Sequence, residues 1–312
     1  MATYDSIIDR DTDDPLIPVP VAQQIIQELP KASSTLALAR RVPMSTKTTR
    51  QPVLDALPQA YFVSGDTGLK QTTSQEWENL TLVAEELACI VPIPENYLSD
   101  AQIPIWDEVR PRIVEAMGAK IDAACLFGVD KPTTWGSAIT DAAFTAGNKV
   151  TAGTGDDLAV DIAATAELID VDGFSVNGFA SRPGLRWRLI RLRSTDGIPI
   201  YAPPAGDQPG TLYGFPLNES KAGGWLPQEA ELILGDWSKA IVGVRQDISF
   251  KLFTEGVISD ASGNVVLNLM QQDSVALRAV MRVAWQVANP VTTLNSNDAT
   301  RFPFGIVVPA AT

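Results

Sequence analysis

Alternation between apolar and polar positions is clearest in the last third of the chain. Val242, Val244, Ile248, Phe250 and Leu252 alternate with Gly243, Arg245, Asp247, Ser249 and Lys251. Ala279, Met281, Val283, Trp285 and Val287 alternate with Arg278, Arg282 and Gln286. Successive side chains of a strand point to opposite faces, so both runs predict strands with one buried face. Helical spacing appears between Ser99 and Gly128, where Trp106, Val109, Ile113, Met117, Ile121 and Ala124 share a face. At about 1.5 Å per residue this helix would run roughly 35–40 Å. Ser99 or Asp100 would cap its start, and Gly128 lies at its end. Pro111 lacks a backbone donor and costs a helix interior about 3 kcal/mol. It predicts either a kink near Asp107 or a regular start between Trp106 and Arg110.

Weaker signals fill in the rest. Residues 1–20 are acidic and then punctuated by Pro15, Pro18 and Pro20, which predicts an extended arm. Val21 to Leu29 predicts a short helix stopped by Pro30, and Leu36 to Val42 a short buried stretch. The Gly- and Thr-rich run from Gly128 to Asp156 reads as a linker and loop between two modules. A helix is expected from about Asp156 to Ile169, capped by Asp156 or Asp157, with Leu158, Ile162, Ala166 and Ile169 on one side. FSVNGFAS reads as a strand and turn, RPGLRWRLIRLRS as a short helix, and DGIPIYAPP and TLYGFPLNES as turn-bounded strands. No heptads and no repeat of about 20–50 residues are present, which argues against coiled coils and solenoids.

The stretch from Ala60 to Leu98 is the most informative. AYFVSGD and SQEWENLTLVAEELACIVPI flank a turn region, Thr67 to Thr73, with Pro92 and Pro94 closing the run. This predicts a long two-stranded excursion with little apolar material to pack on itself. A lone hairpin is marginal in water, so such an arm makes sense lying across another copy of the chain.

Composition narrows the chemistry. The 312 residues are 45% apolar and 20% charged, ample for a core. No run of about 18 apolar residues suggests a membrane span, and the acidic start is unlike a secretory signal. Histidine is absent, which excludes histidine acid–base catalysis, the Ser-His-Asp triad and histidine metal sites. Cys89 and Cys125 cannot make a cysteine-rich zinc site, and their apolar contexts predict buried reduced thiols. GTGDD at 153–157 lacks the spacing of a phosphate or dinucleotide loop and reads as a loop with an Asp cap. The pairs Glu85/Glu86 and Asp156/Asp157 read as solvated surface. No catalytic, cofactor-binding or metal-binding residues are assigned.

Net charge is −13, which opposes phosphate binding and suits a container that repels its contents. The one dense basic patch is Arg182, Arg186, Arg188, Arg191 and Arg193 around Trp187. It reads as a solvated helix face whose Leu185, Leu189 and Leu192 pack inward, or as a contact with an acidic subunit edge or nucleic acid.

Several segments occur together in order between about Pro20 and Gly305. They are RVPM at 41–44, AYFVSGD, the Trp77-to-Pro94 run ending VPIPENYLSD, and the long helix with IDAACLFGVDKPTTWG. GFSVNGFASRPGLRWRLIRLRSTDGIPIYAPP with TLYGFPL follows, then ELILGDWSKAIVGVRQDISFKLF and DSVALRAVMRVAWQVANP. In this order the chain resembles the major capsid proteins of tailed bacteriophages, the Hong Kong 97-type fold. Gly65-Asp66 stands where that family often has Glu-Gly.

The resemblance implies an α+β fold with an N-terminal arm (1–43) and an extended β-hairpin loop (44–91). It implies a peripheral domain with the long spine helix (92–150), an axial domain (151–231), and return strands shared by both (232–312). It implies self-assembly into hexamers and pentamers of an icosahedral shell enclosing double-stranded DNA, assembled in the host cytoplasm, with portal, scaffolding and decoration proteins as partners. No tight DNA binding, cofactor, membrane or enzymatic activity is expected. Some members carry a long N-terminal assembly region; the arm-like segment here starts near residue 1, so a scaffold would be separate or absent. Lys70 is not taken as a crosslinking residue. The alternatives are an encapsulin-type shell around protein cargo and, from another class, a small-molecule hydrolase such as a glycosidase.

Overall fold

The computed structural model describes residues 33–58, 72–73, 75–101, 104–155, 157–192, 210–260 and 262–310. The expected helix at 21–29, the strand AYFVSGD and the strand DGIPIYAPP lie outside these residues.

Helix α1 (Ser34–Leu38) and β1 (Arg40–Pro43) lead into the hairpin of β2 (Thr48–Ala56) and β3 (Glu76–Val83). Strand β4 (Glu85–Pro94), the short α2 (Glu95–Asp100) and the long α3 (Ile105–Phe127) follow. Next come α4 (Ile139–Ala146), β5 (Lys149–Thr151), α5 (Leu158–Val171), β6 (Gly178–Ser181) and α6 (Leu185–Ile190). The chain continues through β7 (Thr211–Leu212), β8 (Phe215–Glu219), β9 (Leu232–Gly235) and β10 (Ala240–Phe253). It ends with β11 (Val257–Ser259), β12 (Val265–Asn268), β13 (Ser274–Val287) and β14 (Phe304–Val308).

Among the described residues two larger sheets and two hairpins organise these elements. One sheet has the order β1-β10-β13-β4, and the other β5-β14-β9-β6-β8-β7. Helix α3 lays Ile113, Met117, Ile121 and Ala124 against Val242, Leu277, Ala279, Met281, Val283 and Trp285 of the first sheet. The same cluster takes in Ile233, Phe304 and Ile306 of the second sheet, so the two sheets share a core. Aromatic side chains bind it together: Phe127 meets Trp225 edge-on at 5.1 Å, and Trp237 meets Phe304 likewise at 5.1 Å. The indole of Trp225 donates to Ala230 O at 2.7 Å and that of Trp237 to Gly178 O at 3.0 Å, so these buried donors are satisfied.

The long helix has the expected buried face, with its start corrected. Neither Ser99 nor Asp100 caps it; those residues end α2, and α3 begins after Pro104. Its 23 residues span about 35 Å. Pro111 is the seventh residue of the helix, past the first turn, so the helix continues through it without the N–H bond to Asp107 O. Gly128 closes it at φ 74°, a left-handed conformation that costs glycine least.

Four expectations are overturned. The run from 128 to 156 is not a linker. It holds α4 and β5, and buries Trp135, Ala138, Ile139 and Ala143. Thr140 Oγ1 donates to Leu126 O at 2.9 Å, tying α4 back to α3, and Gly147 ends α4 at φ 90°. The stretch 36–42 is half-buried at most, with Ala39 as its one buried residue. The returning run from Trp77 to Pro94 is two strands: β3 pairs with β2, whereas β4 pairs with β13. Strands β10 and β13 do not bury a single face throughout. Ile241 and Ala284 are buried opposite Val242 and Trp285, because the arm covers them.

Other expectations hold. Asp157 accepts from Ala159 N at 2.8 Å and Val160 N at 3.0 Å, capping α5. A side-chain cap of this kind contributes about 1 kcal/mol. Asp161 accepts from the backbone N–H groups of Gly153 and Gly155, both at 2.7 Å, so GTGDD is a loop folded onto its helix. Cys125 is buried, and burial followed by the nearby Asp122 carboxylate raises its pKa well above the ordinary thiol value. Cys89, expected to be buried, is only half-buried: it packs on the core beside Leu87 and Val91, but β4 is the edge strand of its sheet.

Candidate assembly interface

The arm formed by β2 and β3 is anchored at its root and, through Leu54 of β2, at one point further out. Its root buries Leu82 and Ala84 against Met44, Ile241, Ala284 and Ala288. A side chain at Gly243 would meet Met44 Sδ at 2.4 Å, so the absent Cβ makes the seat for Met44. Trp135 donates its indole N–H to Val83 O at 3.2 Å, Ala84 N bonds Lys47 O at 2.8 Å, and Val291 N bonds Leu54 O at 3.1 Å. Beyond this root, β2 and β3 pair only with each other among the described residues. Leu54 stands opposite Trp77, which is 63% exposed, and Glu76, Glu78 and Asn79 are exposed beside it. The Val291 bond steadies β2 at Leu54, but the outer part of β3 leaves a large indole in water with no packing surface among the described residues.

Two further apolar surfaces stand open. The β11–β12 hairpin and its approaches expose Val257, Val265, Val266, Met270 and Leu252. Its turn is built by Asp260, which accepts from Ser262 N at 2.9 Å, Asn264 N at 2.8 Å and Asn264 Nδ2 at 3.1 Å. These hydrogen bonds, led by the Asn264 side chain, hold the Asp260 pKa below its ordinary value. A groove of about 990 Å³ runs between α5 and β7–β8, lined in part by Ile162, Phe179, Tyr213, Phe215 and Leu294. Leu294 is 69% exposed and Tyr213 57%.

The arginine cluster is partly neutralised within the chain. Arg182 lies 3.5 Å from Glu231 and Arg188 pairs with the same carboxylate. The Arg186 backbone N–H reaches Glu219 Oε1 at 3.2 Å. Leu185 and Leu189 are buried and Leu192 is half-buried, so the amphipathic reading of this helix holds. Arg193 lies outside the described residues. The carboxylate pairs are surface groups with local partners: Glu86 meets Arg282 at 3.1 Å, and Glu85 accepts from Thr134 Oγ1 at 2.9 Å. Asp156 lies outside the described residues. Among the described residues no cluster of His, Cys, Asp and Glu could hold a metal ion, and no helix is long and apolar enough to cross a membrane.

Composition could not have found the buried polar knot at the arm's base. Asp122 of α3 accepts from Ser33 Oγ at 2.6 Å and from the backbone N–H groups of Ser34 and Thr35, both at 2.9 Å. Ser220 Oγ approaches it at 3.3 Å. One fully buried carboxylate thereby fixes where the N-terminal segment enters the fold.

Comparison with known proteins bears on what these surfaces are for. Residues 14–292 match the phage capsid family. The chain is 28% identical over 269 residues to the major capsid protein of Staphylococcus phage 80alpha, covering 85% of this chain and 79% of that one. It is similar to a chain in the solved structure of Microbacterium phage Oxtober96, at 37% identity and TM-score 0.82, covering 95% and 97% of the two chains. A chain of Mycobacterium phage Cain gives 32% identity and TM-score 0.84, covering 95% and 96%. The capsid of the native GTA particle shares the fold at 19% identity and TM-score 0.66, covering 95% and 96%.

Proposed function

Since this chain belongs to the phage capsid family, and so is a structural protein of an icosahedral virion shell and not an enzyme, we propose how its copies join. They form hexamers and pentamers in which the arm of β2 and β3 lies across the neighbouring copy. The observation that carries this reading is the arm itself, anchored at Leu82 and Ala84 and exposing Trp77 at its outer part. A neighbour's surface would supply the packing that the subunit lacks. In this reading residues 1–43 are the N-terminal arm, 44–91 the extended loop, 92–150 the peripheral domain, 151–231 the axial domain and 232–312 the shared return strands. No feature of the described residues favours an encapsulin-type shell or a hydrolase.

Assembly takes place in the host cytoplasm, with a portal and scaffolding or decoration proteins as further partners. The shell encloses double-stranded DNA without gripping it. With −13 net charge per copy, and Glu231 partly neutralising the main basic patch, a free subunit should bind duplex DNA no better than non-specific binders, about 10⁻⁴–10⁻⁶ M. Size-exclusion chromatography with light scattering, run beside filter binding across salt, tests both parts. Capsomers or shells with weak DNA binding are expected. A folded monomer at high concentration would contradict the assembly mode, and tight salt-steep DNA binding would contradict the container reading.

A further inference from the structure

The basic face of α6 keeps an excess of positive charge. Glu231 is shared between Arg182 and Arg188, so that group is left one charge positive. The guanidinium of Arg186 and that of Arg191 have no ion-pair partner among the described residues, and the Nε atoms of Arg182 and Arg186 are buried without a hydrogen bond. Glu219 is already engaged, by the Arg186 backbone N–H and by Lys221 Nζ at 3.3 Å. Trp187 projects from the same short helix and is 70% exposed. An exposed apolar ring on a short helix that also carries unpaired guanidiniums is a surface that suits an acidic peptide.

The chain carries such a peptide, 18 residues before a segment whose first described residues, Ser33 to Thr35, lie beside this surface. Residues 5–14 contain Asp5, Asp9, Asp11, Asp13 and Asp14 against Arg10, interspersed with Ile7 and Ile8. The first described residues, Ser33 to Thr35, are clamped by Asp122. Ser34 Oγ also bonds Asn218 Oδ1 at 3.2 Å, and the next residue along that strand, Glu219, is the one that accepts from Arg186. The root of the N-terminal segment and the basic helix therefore flank the same end of β8. The residues between Asp14 and Ser33 could span roughly 60 Å if extended, several times what the approach needs. The covalent tether also gives the segment an effective concentration that a separate acidic partner must exceed.

We propose that residues 5–14 dock on the basic face of α6 in their own chain, with aspartates on Arg186 and Arg191 and apolar residues over Trp187. The docked segment covers the main cationic patch. It keeps that patch off phosphate while the shell closes, which goes beyond the arm contact proposed above and does not depend on it.

The test uses the full chain with Arg191→Lys, which places an amine on the patch, and with Arg245→Lys as a control on β10 of the other sheet. A zero-length carbodiimide joins a carboxylate to an amine only when the two are in contact, and peptide mapping identifies the partners. The expected result is coupling between position 191 and the peptide containing residues 5–14. The yield should exceed that of the control at least fivefold, and should fall several-fold between 0.05 and 0.5 M salt as the Debye length shrinks from about 14 to about 4 Å. Mixing heavy- and normal-isotope protein should leave the coupled pairs within single chains. No coupling at low salt, equal coupling at the control position, or coupling found only between chains would overturn the proposal.

Discussion

At the residue scale, burial and chemistry make distinct forecasts. Trp285 is 1% exposed within the packed face of β13, and its indole N–H has no partner among the described residues. Trp285→Ala should therefore cost roughly 3–5 kcal/mol, nearly all from lost packing. Gln286, next along the strand, is half-buried at the edge of a polar cavity, so Gln286→Ala should cost less than about 1 kcal/mol. Denaturant unfolding of both variants checks this, and equal losses would mean that the two faces of β13 are misassigned. Asp260 gives a pH forecast. Its folded pKa lies below the ordinary value, so its hold on the turn is complete above the usual carboxylate range. That hold is lost as pH falls through the lowered folded pKa. A carboxyl-carbon NMR titration should place its midpoint below about 3.9, and a midpoint at or above that value would show that the turn bonds are absent in solution. Neither the Asp122 knot nor the turn built by Asp260 was visible in the sequence. Each depends on groups brought together by the fold or by local loop geometry, and not on periodicity.

At the element scale, what could be read from the sequence tracks length and regularity. Helix α3 and strands β10 and β13 are long, so their repeats accumulate enough positions to reveal the buried face. Helix α4 is eight residues of ITDAAFTA between glycines, too short and too small in side-chain volume to show a face. Its burial comes from α3 and β14, which no local pattern encodes. The run through β3 and β4 looked continuous because nothing in its composition marks Ala84, where the chain passes from the arm into the main sheet. The arm also yields a prediction. Removing residues 59–74 takes away the far end of the hairpin and spares Leu82, Ala84 and Met44 at its root. The shortened chain should stay folded, with circular dichroism near that of the intact protein, and should assemble poorly. Aggregation with loss of secondary structure would mean that the removed residues belong to the core.

At the scale of the whole molecule, the order of the segments carried the fold class, and the sheet topology was not legible. Nothing local says that β5, more than a hundred residues upstream, lies parallel to β14, or that β1 lies parallel to β10. These pairings are set by one shared core, in which α3 and residues of both sheets exclude water together. The open surfaces follow from the same architecture: a subunit that spends its apolar residues on this core has few left for the arm. The central claim is that the outer arm is completed by a neighbouring copy. Hydrogen exchange across Thr48–Ala56 and Glu76–Val83, compared between dissociated subunits and assembled shells, tests it most directly. In free subunits the amides near Leu82 should be protected and those near Trp77 should exchange freely; in shells the amides near Trp77 should slow by at least a factor of ten. Equal exchange near Trp77 in both states would contradict the account.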